Sequence, residues 1–140
     1  MSREYTTEET FNLSQLISIN AGMSRIVFLN DKKSIVQYIM NGGAVVSTLF
    51  SLWFSAPLTV TVANTIGGLF CNSYTSTSKL AKDFAKNSLR DLPIIIDQMN
   101  KGKWPLVKIR MNVLEYNNVR IIGACKVTAI KGNGGWFTTA

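Results

Sequence analysis

The sequence predicts an α+β fold: N-terminal helices with an uncharged apolar helical segment, then a helix pair and a C-terminal antiparallel β-meander. Three observations carry that expectation. No charged residue occurs from Ser34 to Ser78, and the centre of this stretch, Ala44 to Cys71, is apolar enough for a buried or lipid-facing helix. Between Lys79 and Leu92, Leu80, Ala81, Phe84, Ala85, Leu89 and Leu92 recur at helical spacing with lysines opposite. From Val107 onward the chain alternates apolar and polar residues, the period of a half-buried strand.

Each element has its own signal. Thr6 and Glu9 stand at capping-box spacing and predict a helix that buries Phe11, Leu13, Leu16 and Ile17 and stops near Asn20-Ala21-Gly22. Met23 to Leu29 is a short apolar stretch that suits either helix or strand. Asp31 predicts the N-cap of a second helix through Ile35, Val36 and Ile39, ended by Asn41-Gly42-Gly43. Asp91 and Pro93 read as a fresh helix start, which would divide the amphipathic stretch into a pair ending at Asn100-Lys101-Gly102. Asn117-Asn118 is a two-residue hairpin turn that sets Glu115 opposite Arg120 and Val113 opposite Ile122. A second turn at Lys131 to Gly135 leaves Trp136-Phe137-Thr138 as a third strand. Two regions result: 1–78, helical and containing the segment 44–71, and 79–140, basic, with a β-hairpin at 105–128.

The segment 44–71 supports two readings. Gly43, Ser47, Ser51, Ser55, Thr59, Ala63 and Gly67 are small residues at every fourth position, which on one helix makes a continuous packing face. That arrangement suits a membrane-inserted helix or hairpin bent at Pro57, with self-association through the small face. Alternatively, Pro57 splits the segment into a buried helix, Gly43 to Ala56, and a strand, Leu58 to Val62.

Charge is unevenly placed. Residues 1–33 balance, so the net charge of +7 lies between Lys79 and Lys131. Lys101, Lys103, Lys108, Arg110, Arg120 and Lys126 fall on the predicted hairpin and its lead-in, with Trp104 and Tyr116 interleaved. Cationic strands with aromatics suit phosphates, of nucleic acid or of lipid headgroups. In a bland reading the same lysines serve solubility and protect strand edges.

Catalysis has little to draw on. A chain without histidine offers no Ser-His or Cys-His pair, and Cys71 and Cys125 are too far apart for a CxxC site. They read as two buried thiols. Asp83, Asp91, Asp97 and Glu115 have structural explanations in capping, helix surface or the Arg120 pair, so no catalytic residue, metal or cofactor is expected. A nuclease working through Lys108 and Arg110 without histidine is a third possibility. The polar, partly acidic start, Met1 to Thr10, lacks a secretory pattern and implies synthesis in the cytoplasm.

The leading expectation is a non-enzymatic membrane-associated protein of pore-forming, holin-like or immunity type, with anionic lipid or a protein as partner. In general shape the chain resembles the small membrane-directed proteins of bacterial and phage conflict systems, an analogy of architecture that carries no motif. The alternative is a soluble α+β binding module that engages nucleic acid or a protein through the basic hairpin.

Overall fold

A four-stranded antiparallel sheet, in the order β1-β2-β3-β4, wraps around helices that lie between its first and second strands in the chain. The computed structural model describes residues 2–29, 31–71 and 75–139. The elements are β1 (Ser2–Phe11), α1 (Leu13–Phe28), α2 (Lys32–Asn41), α3 (Gly43–Thr48), α4 (Val60–Phe70), α5 (Ser76–Gly102), β2 (Leu106–Tyr116), β3 (Val119–Gly132) and β4 (Gly135–Thr138). A π-helical turn, Leu49–Trp53, continues α3.

The chain begins with a strand, not the helix that Thr6 and Glu9 predict. In β1 the side chains of Tyr5, Thr7, Glu9 and Phe11 turn inward in alternation, opposite Val113, Met111, Ile109 and Val107 of β2. The capping box forms six residues later. Asn12 accepts from the Gln15 N–H at 2.8 Å and Gln15 returns the bond to the Asn12 N–H at 2.9 Å. The α1 helix then runs through Gly22 without stopping. A Cβ at Gly22 would lie 2.9 Å from Leu49 Cδ2, so this glycine admits the π turn against α1. Asp31 caps α2 as predicted, accepting from Ser34 N–H at 2.9 Å.

The uncharged segment divides at Pro57. Its large side chains form the core: Val46, Leu49, Phe50, Trp53 and Phe54 from the first arm, with Ile66, Leu69 and Phe70 from the second, are buried. Burying each contributes about 1.5–3 kcal/mol. Phe50 meets Phe54 edge-on at 5.3 Å, and Trp53 lies 6.4 Å from Phe11. The expected strand at Leu58 to Val62 is not formed. Thr59 instead accepts from Val62 N–H at 3.1 Å and caps α4.

The expected helix pair after Ser78 is one helix of 27 residues, with Pro93 inside it on the exposed side. α5 runs along β3, where a Cβ at Gly123 would come within 2.8 Å of Phe84. β4 pairs only with Ala129 to Gly132, which leaves the preceding part of β3 without a strand on that side. Other groups satisfy its backbone: Asp91 accepts from Cys125 N–H at 2.9 Å, and the Phe54 carbonyl accepts from Arg120 N–H at 2.9 Å. Asn117 and Asn118 both take positive φ, 49° and 66°, and the hairpin register is the predicted one.

Candidate polyanion-binding face

Register partners on neighbouring strands share a face, so the ladder sorts the cations. On the inner face, Arg120 reaches Glu9 at 3.3 Å, with 20% of the arginine side chain exposed. Its Nε is buried and has no hydrogen-bond partner. Glu115, the cross-strand neighbour of Arg120, pairs with Arg3 at 2.8 Å. Arg120 is thus committed to the fold and does not join the other cations.

On the outer face, Arg110 stands directly opposite Lys126, and Glu8 is its partner on β1. Lys108 lies two residues back along the same strand, with its Nζ 4.6 Å from the centroid of the Trp136 ring. The three cations and Glu8 line a hollow of about 430 Å³. Glu8 does not neutralise them by close pairing, because its Oε2 accepts from the Thr128 hydroxyl at 2.8 Å. Among the described residues, four ion pairs form, and none includes Lys108, Arg110 or Lys126. Like charges directly opposite in a ladder destabilise it by some tenths of a kcal/mol. Glu8, opposite Arg110 on β1, offsets part of that repulsion without closing an ion pair.

The remaining predicted cations lie nearby in a different state. Lys101 pairs with Asp97 at 3.0 Å across one turn of α5, both exposed. Lys103 closes α5 in the left-handed conformation, φ 55°, and its contribution is to the backbone path. The interleaved aromatics also separate. Tyr116 sits at the hairpin end and Trp104 lies over Gly102, whereas the aromatic beside the cations is Trp136. The sequence places Trp136 on a third strand but does not set its register; the pairing of Lys131 with Trp136 and of Lys108 with Ala129 brings it beside the cations.

The row of small residues does not make one face. Gly43, Ser47, Ser51, Ser55 and Thr59 are exposed, and Ala63 and Gly67 are buried. Gly43 and Ser55 take positive φ, 64° and 48°, so the helical path is interrupted at both. Gly67 is a close-packing position: its Cβ would lie 3.0 Å from Lys32 Cγ and 3.1 Å from Val36 Cγ2, where α2 crosses α4. Among the described residues no single helix is long and apolar enough to cross a membrane. The pair Lys32–Asn41 and Gly43–Trp53 reaches that length and composition together, bent by 101°.

Both cysteines are free thiols. Burial, with Asp91 nearby, pushes the Cys125 thiol up to about 12, which leaves it protonated and unreactive at neutral pH. Burial also pushes the Asp91 carboxyl up, but the Arg90 hydrogen bond, the Cys125 N–H and the Arg90 charge together hold it below its ordinary value. Among the described residues no three of Asp, Glu and Cys gather to hold a metal ion. Comparison with family models, with curated proteins and with solved structures returns no match.

Proposed function

We propose that this protein is a non-enzymatic binding module that holds nucleic acid on the outer face of its sheet. The observation that carries the reading is the trio Lys108, Arg110 and Lys126 around one hollow, none of them in an ion pair among the described residues, with Arg110 and Lys126 opposed across the ladder. Phosphates bound there relieve the repulsion, and release of counterions supplies the affinity. Trp136, 40% exposed, gives a base a ring to stack on at the same place.

The test is fluorescence anisotropy with a labelled oligonucleotide between about 50 and 200 mM salt. Affinity should fall steeply with salt, and each of Lys108→Ala, Arg110→Ala and Lys126→Ala should flatten the log–log slope by about 0.7 on a single strand. No binding at low salt, or a slope unchanged in the triple variant, overturns the reading.

A membrane-directed function is the second reading, favoured by the bent α2–α3 pair and by the exposed side chains of Met40, Leu58 and Val60. Insertion would have to withdraw Phe50, Trp53 and Phe54 from the core that they fill. Flotation with vesicles of anionic lipid separates the two: co-migration that survives high salt supports insertion and counts against the nucleic-acid reading.

A further inference from the structure

We infer that the nucleic acid is single-stranded and that one unpaired base enters the cleft between α5 and β3. The inference rests on the basic-face reading and adds to it a second, chemically different subsite. The cleft measures about 740 Å³ and opens where β4 stops covering β3. Its floor is apolar, made by Ile95, which is buried, and by Val127 and Trp104; Ile94, 56% exposed, forms the rim. An apolar slot beside an indole suits the flat face of a base, which stacks on aromatic rings whatever its identity.

Two observations select this occupant over another apolar ligand. The first is continuity. Lys126, Val127 and Thr139 line both the outer-face hollow and this cleft, so a chain of phosphates crossing Arg110 and Lys126 arrives at its mouth. The second is the polar complement. Lys126 provides positive charge in the lining, Lys101 lines the cleft with its ammonium held by Asp97 at 3.0 Å, and the Gln98 amide, exposed and without a protein partner among the described residues, offers a donor and an acceptor to a base edge. Asp91 also lines the cleft, but its carboxylate is already held by Arg90 and the Cys125 N–H. A duplex keeps its bases paired and stacked, so only an unpaired strand can use this subsite.

The experiment compares three probes of equal length on the whole chain: a single-stranded oligonucleotide, the same strand with abasic sites throughout, and a duplex. The wild type should bind the ordinary strand about tenfold more tightly than the abasic one at matched salt. Ile94→Ser and Gln98→Ala, both at exposed positions that leave the core intact, should reduce that preference while the affinity for the abasic strand stays unchanged. Trp136→Ala serves as the control for stacking on the outer face. Equal affinity for ordinary and abasic strands overturns the cleft and leaves the basic face standing. A preference lost in Trp136→Ala but kept in both cleft variants also overturns it, as does a duplex that binds as tightly as the single strand. Failure of all three probes to bind at low salt overturns both proposals together.

Discussion

The two faces of one sheet treat their charges in opposite ways. On the inner face each charge has a partner: Arg120 meets Glu9, Glu115 meets Arg3, and the rest of the surface is Val107, Ile109, Met111 and Val113 packed on helices. On the outer face Arg110 stands between Lys126 and Glu8, and among the described residues neither cation closes an ion pair, although the same hairpin supplies both arginines. A partly buried charge must be paired, because desolvation is costly. An exposed charge is under no such constraint and is free to serve solubility or a partner. The inner face is explained by stability; under the proposed function the outer face answers to a bound polyanion.

The largest expected effect lies on the inner side. Trp53→Ala should cost about 3–5 kcal/mol, because it empties the core where the π turn faces Phe11. Trp53→Phe should cost roughly half of that or less: it keeps most of the ring volume, and the indole N–H that it removes is buried without a partner. Urea unfolding measures both. A small loss for the alanine variant would place the uncharged segment outside the core and reopen the membrane reading.

The two arginines give the next test, since they lie on one hairpin and differ only in face. Arg120→Ala leaves Glu9 half-buried and unpaired and should cost on the order of 1–2 kcal/mol, less than a fully buried pair because both partners retain some water. Arg110→Ala should stay within about 0.5 kcal/mol of the wild type. Equal losses in the two variants would break the distinction between the faces.

How much of this the sequence displays depends on the range of the interactions. Local ones are legible: the Asp31 cap, the Asn117-Asn118 turn and the Glu115–Arg120 register each need only a few neighbouring residues. β1 is not legible in that way, because its partner is about a hundred residues further along the chain. Read alone, Thr6 and Glu9 give a helix start, and only Val107 to Tyr116 turn that stretch into a strand. Gly22 and Pro93 mislead for a related reason. By local propensity Gly22 is a helix stop and Asp91-Pro93 a helix start, but Leu49 packs against the first and Pro93 sits on an exposed turn of a helix anchored along its other side. The site follows the same pattern. The cations were visible as a cluster of types, but the separation of Arg120 from Arg110 requires knowing which face is buried, and Trp136 joins them only through a strand pairing.

The smallest expected effect is also the one that most directly tests the outer face. Lys126→Thr removes the like-charge opposition to Arg110 and puts a good strand former in its place. It should therefore raise stability at low salt by a few tenths of a kcal/mol, and the gain should shrink at high salt as the repulsion in the wild type is screened. The same variant should weaken oligonucleotide binding. These two signs belong together: a residue that opposes folding and promotes binding has its role in binding. Urea midpoints at low and high salt, set beside anisotropy on the same preparations, read both. A variant that is less stable at low salt would give Lys126 a structural role and remove the main reason for assigning function to this face.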